Sequence, residues 1–285
     1  MAHIVVAGSV NLDRVWWLEA PLQSGARLSY AHRQLRLGGG GFNTAVALRT
    51  LGHDVSIVAS LADDKAGRAC RRALERLGFR LSHISFSRSH TVPLEILVDP
   101  GGERTILAPA SAEHGRVTEI PPLAADAVYV NLRRMAPAAL AGVPAATLLI
   151  SQVPLEPGEH RPADILIGAV WDGRPAARSD AFSEAREIAG PRLRALVLTD
   201  GAGPMHVVEA DSQTRVDVTP NPNPKDTTGA GDVFAAGYVD ACIRGYAPVQ
   251  AARHADGIAA AFLVDRDGFG FDASVCSELE ESLGT

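Results

Sequence analysis

Asp226-Thr-Thr-Gly-Ala-Gly-Asp232 packs a glycine turn, a helix start and a carboxylate into seven residues. Downstream, Phe234, Gly237, Tyr238, Ala241 and Cys242 recur at helical spacing, which predicts a helix beginning at 229–231. The first turn of a helix carries backbone N–H groups with no partner inside the helix, and the positive end of the dipole stands behind them. Glycine at 229 and 231 lets an anion approach those groups with no Cβ in the way. Gly229, Ala230 and Gly231 are therefore the candidate anion hole. A carboxylate beside such a site works against simple anion binding. It suits a base that takes a proton from a hydroxyl about to receive a phosphoryl group, which makes Asp232 the candidate catalytic residue. The plainer alternative is that Asp232 is an acidic residue favoured in a helix first turn by the dipole.

A second glycine cluster, Gly38-Gly-Gly-Gly-Phe-Asn43, also runs straight into a helical pattern, and two such loops in one chain point to two substrates. Gly8-Ser-Val-Asn-Leu-Asp13 near the start and Ala62-Asp63-Asp64-Lys-Ala-Gly67 after a strand complete a set of motifs spread over the whole length. On these motifs the chain resembles the ribokinase-like, or PfkB-type, carbohydrate kinase family. The resemblance implies a three-layer α/β/α sandwich with a mostly parallel sheet and a small β lid, forming one kinase domain over 1–285. It implies transfer of the ATP γ-phosphoryl group to a sugar or nucleoside hydroxyl, with Mg²⁺. A K⁺ site near Asp226 and a homodimer paired through the lid belong to the same expectation.

The acceptor is assigned to the first two motifs. An ionised carboxylate and an amide together can orient vicinal hydroxyls, each of which is both donor and acceptor. Asp13, just past the first strand, and Asn43, at a helix start, match the family there, with Asn11 in the same turn and Gly38 and Gly39 giving access to backbone. Taken alone, Asp13 reads equally as a turn aspartate and Asn43 as a helix cap. For the nucleotide, Leu196-Val-Leu-Thr199-Asp-Gly201 is a strand ending in a turn, and Thr199 and Gly201 carry over from the family's ATP-facing loop. The family's second glycine there is replaced by Pro204.

Two departures bear on chemistry. The family's Asn-x-x-Glu segment, linked to metal and phosphates, is here Ala169-Val-Trp-Asp172, which leaves Asp172 to hold Mg²⁺ through water. Where relatives carry an acidic sugar contact after the strand Val128-Tyr-Val-Asn-Leu132, this chain has Arg133-Arg134. A guanidinium at 133 would favour an acceptor with a carboxylate or phosphate, while the competing reading is a surface arginine pair in an arginine-rich chain.

Composition bounds these readings. The 285 residues are 46% hydrophobic, enough for one large core. A net charge of -6 argues against nucleic acid as a partner. Only Lys65 and Lys225 are lysines, and neither follows a glycine, so a Walker P-loop is excluded. The turn after the first strand has a single glycine, against a dinucleotide fingerprint, and no GxSxG occurs. Cys70, Cys242 and Cys276 are scattered and form no CxxC, which fits a reducing cytoplasm. No signal peptide is expected at the start, and the uncharged run 135–155 is expected to break at Pro137, Pro144 and Pro154 into a helix, a turn and a strand, not to span a membrane.

The pattern predicts a strand at 4–7, lid segments at about 14–37 and 91–109, and a helix, strand and helix at 42–51, 55–59 and 65–77 with Gly52 and Gly78 as stops. Further strands are expected at 127–130, 147–150, 164–167 and 193–198, a hairpin near 206–218 and a final helix at 249–263. A nucleoside kinase of the same fold and a catalytically silent sugar- or nucleotide-binding regulator are the competing functions.

Overall fold

The computed structural model describes residues 1–108, 117, 119–121, 124–136, 138–155, 158–170, 180–220, 226–270, 279–281 and 283. The fold grows from β1 (His3–Gly8), whose residues are buried on both faces as expected of a central parallel strand. Ile4 and Val6 point into one apolar cluster and Val5 and Ala7 into another, so the sheet carries a core on each side. Parallel partners flank β1: β4 (Asp54–Ala62) and β8 (Ala127–Asn131).

The nine-stranded sheet runs β13-β12-β11-β10-β9-β8-β1-β4-β5. Its other strands are β5 (Ile84–Arg88), β9 (Leu148–Gln152), β10 (Ile165–Ala169), β11 (Ala195–Asp200), β12 (Gly203–Glu209) and β13 (Ser212–Val216). All pairings are parallel except β11–β12 and β12–β13, the hairpin at one edge. Helices α1 (Gly40–Thr50), α2 (Lys65–Arg76), α4 (Ala230–Ile243) and α5 (Pro248–Val264) contribute to the core on one face. On the other, α3 (Ala181–Ala189) packs through Ala181, Ala185 and Ala189. The three-layer α/β/α sandwich is therefore present.

A separate four-stranded sheet, β3-β2-β6-β7, forms the lid. It consists of β2 (Asn11–Leu18), β3 (Tyr30–Gly38), β6 (Leu94–Val98) and β7 (Arg104–Leu107), held around buried Val15, Ile96 and Val98. Asp64, the cap of α2, accepts from Gly67 N at 2.7 Å and also from Thr91 N at 2.6 Å and Thr91 Oγ1 at 2.9 Å. The Ala62-to-Gly67 motif thus ties the second lid segment to the sandwich.

Some expectations need correction. Asp13 does not sit in a turn after β1 but in β2, because the lid begins at Asn11. The 135–155 run has turns at 138–142 and β9, with no helix among its described residues, since Gly142 and Pro144 interrupt the chain before an apolar face can form. Neither β5 nor α3 was anticipated, and α5 is not the last helix, because 279–281 are helical. No helix among the described residues is long and apolar enough to cross a membrane.

Candidate active site

Glycine packing brings the motifs together. An added Cβ on Gly8 would meet Gly41 Cα at 2.4 Å, so the end of β1 and the start of α1 approach closer than side chains allow. Gly39 caps α1 at φ 94°, and Asn43 lies in the first turn, buried and facing α4. Asn43 Nδ2 donates to Asp232 Oδ2 at 2.8 Å. From the end of β8, Asn131 Nδ2 donates to Asp232 Oδ1 at 3.0 Å. Asp232 is thus held by amides from two elements, while its own backbone carbonyl accepts from Thr44 Oγ1 at 3.2 Å. Burial raises its pKa, opposed by the Asn43 amide, the Arg104 charge and the Asn131 amide. A base with a raised pKa has the greater pull on a hydroxyl proton.

Gly229 caps α4 in the left-handed region at φ 86°, with no side-chain cap. Ala230 N donates to Thr227 O at 3.1 Å, which corrects the three-donor reading of the anion hole: the turn that starts the helix uses the middle N–H. The N–H groups of Gly229 and Gly231 have no hydrogen-bond partner among the described residues, and a Cβ on Gly231 would meet nothing within 4 Å. This is an open cradle with two unspent donors and a dipole behind them.

Asp13 faces the same space. It is 3% exposed, its Oδ1 has no hydrogen-bond partner, and burial pushes its pKa up to about 7 against the pull of Arg36, with Asp232 adding to the rise. Asn11 is in register with Gly38, and Asp13 with Arg36, so the acceptor candidates line the inner end of the β2–β3 ladder. Thr199 ends β11 with its Oγ1 donating to Gly168 O at 3.3 Å, and Gly201 turns the chain into β12 at φ 55°. Being three strands along the same carboxyl edge from Asn131, Thr199 lies roughly 14 Å away, the reach of a nucleotide from its base to its phosphates. Arg133 is exposed, two residues past Asn131. Asp172 lies outside the described residues.

Three arginines and an asparagine escaped the sequence reading. Arg36 Nη1 donates to Asp226 Oδ2 at 3.0 Å, and its Nη2 is buried with no hydrogen-bond partner. Arg104 Nη1 donates to Thr227 O at 3.0 Å, and Thr227 Oγ1 donates to Gly102 O at 3.2 Å, so the lid closes directly on the glycine loop. Arg266 Nη1 donates to Thr228 O at 2.7 Å and Asp226 O at 3.2 Å. Asp226 also accepts from Thr228 N at 2.8 Å; burial pushes its pKa up, and Arg36 and Arg266 outweigh that and hold it low. The one signal for Asn131 was its position as the last residue of a buried strand on the ligand-bearing edge.

A β lid seated over a helix N-terminus with two unspent donors, at the carboxyl edge of a parallel sheet, is an arrangement suited to a small molecule that carries phosphate. The fold recurs in ribokinase from Arabidopsis thaliana, solved with ribose and ATP, at TM-score 0.70 and 20% identity over 98% of this chain and 99% of that one. It recurs too in a nucleoside kinase of Methanocaldococcus jannaschii, at TM-score 0.69 and 17% identity over 99% of each chain. Among curated proteins, the ATP-dependent ribose-1-phosphate kinase of Halopiger xanaduensis is 27% identical over 267 residues, 84% of each sequence. The family model for pfkB family carbohydrate kinases matches residues 1–137 and 173–270. The chain belongs to that family.

Proposed function

We propose that the protein transfers the γ-phosphoryl group of ATP to a hydroxyl of a sugar derivative, with Asp232 as the general base. The observation that carries this reading is the carboxylate of Asp232, fixed between the Asn43 and Asn131 amides at the head of α4, beside the unspent N–H groups of Gly229 and Gly231. The acceptor lies against Asp13, Asn11, Asn43 and the backbone of Gly38 and Gly39. Asp13 Oδ1, buried without a partner, accepts from one of its hydroxyls. Asp232 takes the proton of the attacking hydroxyl as the phosphoryl group arrives. Gly229 and Gly231 N–H offset the charge that builds on the phosphoryl oxygens, and a preorganised donor in a dry site costs nothing to reorient at that moment.

Thr199 and Gly201 flank the nucleotide. A Cβ on Gly231 would meet nothing within 4 Å, which leaves room for a phosphate of a nucleotide that would bring Mg²⁺ with it, and Asp172 is the residue that would hold that ion through water. When bound, that ion neutralises phosphate charge. Exposed Tyr30, Ile106 and Leu107 on the lid strands support a homodimer paired there.

An acceptor that carries a phosphate is favoured over a neutral sugar. What supports this is Arg133, a basic residue where the family resemblance implies an acidic one, the unpartnered Nη2 of Arg36 beside Asp13, and the likeness to a relative named as a ribose-1-phosphate kinase. The test is a coupled ADP-release screen over neutral pentoses and hexoses, their phosphates, sugar acids and nucleosides. Turnover with a sugar phosphate well above that with ribose is expected. Preference for a neutral sugar or a nucleoside overturns the anionic-acceptor reading, and no turnover with any acceptor overturns the kinase reading.

A further inference from the structure

The loop 226–228 offers a set of oxygens suited to a monovalent cation: the carbonyls of Asp226 and Thr228 and the Asp226 carboxylate. Hard cations take carbonyl and carboxylate oxygens of this kind. In this chain a guanidinium already occupies that position. Arg266 Nη1 stands 2.7 Å from Thr228 O, 3.2 Å from Asp226 O and 3.7 Å from Asp226 Oδ2.

The position of that side chain is built into the fold. Arg266 follows the end of α5, and its guanidinium lies over the ring of buried Phe262, 4.6 Å from the centroid. Stacking fixes the plane of the fork and leaves one edge to address the loop. The surrounding charge also opposes an added cation. Arg36 takes Asp226 Oδ2 at 3.0 Å, and Arg104 takes the intervening carbonyl of Thr227 at 3.0 Å. The Arg266 pKa is lowered to about 10, by burial first and then by Arg36 and Arg104, with Asp226 and Asp267 opposing, so the three cations feel one another and Arg266 still carries its charge at neutral pH.

We infer that Arg266 is a tethered replacement for the K⁺ that the family resemblance places near Asp226, and that this protein works without a monovalent metal ion. The K⁺ expectation does not fit the residues present, because the oxygens that would bind the ion are donated to by a side chain. Arg266 is a positioning residue: it holds the carbonyls of the loop that precedes Gly229, and so sets the direction of the N–H groups in the cradle. The inference rests on reading this loop as the phosphate cradle, and for that reason its first test does not use turnover.

Thermal unfolding of the wild type is measured in chlorides of K⁺, Na⁺ and tetramethylammonium at matched ionic strength. A bound ion stabilises the folded state by mass action. The expected result is one Tm in all three salts. In Arg266→Ala the oxygens are released, and K⁺ is expected to raise Tm where tetramethylammonium does not.

Turnover, once an acceptor is known, should be ion-independent in the wild type. It should fall about tenfold in Arg266→Ala in tetramethylammonium, less than the roughly hundredfold loss of a whole transition-state donor because the donors are misdirected and not removed, and recover in part with K⁺. A K⁺-specific rise in wild-type Tm or turnover overturns the inference, as does an Arg266→Ala variant whose Tm and turnover match the wild type in every salt. If Arg266→Ala does not fold, the wild-type series decides by itself, and Arg266→Lys, which keeps a cation on a shorter reach, should remain indifferent to K⁺. Absent turnover with an ion-indifferent Tm counts against the kinase reading and leaves this one supported.

Discussion

A Cβ added to Gly38 would stand 1.7 Å from Oδ2 of Asp13. The glycine is therefore the space into which the carboxylate is folded, set by the β2–β3 register that puts Asp13 opposite Arg36 and two positions along the ladder from the Asn11–Gly38 pair. Gly38→Ala forces the short side chain of Asp13, whose Cγ would stand 2.4 Å from the new carbon, to rotate away; the clash spares the backbone, so the cost falls on Asp13 and not on the sandwich. We expect Tm within a few degrees of the wild type and an acceptor KM raised about tenfold, the scale of one lost hydrogen bond to a charged group. An unchanged KM would remove Asp13 from the acceptor site.

Asp232→Asn keeps the shape at the head of α4 and removes the base. Two amides already donate to this carboxylate at 2.8 and 3.0 Å, so an asparagine there sets one donor against another. That conflict is offset by the relief of burying a neutral group where burial had raised the pKa. Folding and ATP binding should survive, while kcat falls by roughly two to four decades, as for a lost general base. Equal kcat in variant and wild type would leave Asp232 as no more than an acidic residue in a first turn.

The helix start at the glycine loop was legible because its signals are local: φ above zero at Gly229, an apolar period after it, and α4 beginning at Ala230. Asn131 was not, since its meaning depends on a carboxylate 101 residues away. Arg36 reads in sequence as one polar residue alternating with buried Leu35 and Leu37, and only the closure of the lid gives it Asp226 as a partner. Arg266 was hidden similarly, in a chain where arginine is common and partners 38 and 40 residues away are chosen by packing. Helix α3 escaped because its buried face is three alanines, too small to give a strong apolar period.

Asp13 should also leave a signature in the pH dependence of stability. Burial pushes its pKa up from 3.8 to about 7, partly countered by Arg36 and increased by Asp232. The folded protein thus keeps a proton that the unfolded chain releases. That contribution to stability is complete below the unfolded pKa and is lost as pH rises through the folded one, the reverse of a salt-bridged aspartate. Asp13→Asn never ionises, so its Tm relative to wild type should climb between about pH 4 and pH 8. A difference that stays flat over this range would mean that Asp13 is ionised throughout. Wild-type acceptor KM should fall over the same window, as the carboxylate that accepts from the hydroxyls becomes charged.

The last expectation separates two glycines of one loop. Gly229 lies at φ 86°, and a Cβ there would meet Asn43 Nδ2 at 3.2 Å. Gly229→Ala therefore strains the backbone by about 1–2 kcal/mol and presses on an amide that holds Asp232, so both Tm and kcat should drop. Gly231 has an ordinary helical backbone and open space where its side chain would be. Gly231→Val should fold with a Tm close to wild type, since valine is no poorer a helix former than glycine. Its branched side chain would fill the space meant for phosphate oxygens and keep them from the Gly231 N–H. Loss of one such donor costs roughly a hundredfold or more in kcat. Thermal melts and steady-state kinetics on the two variants give the contrast, and a Gly231→Val enzyme with wild-type turnover would mean that no phosphate passes over this turn.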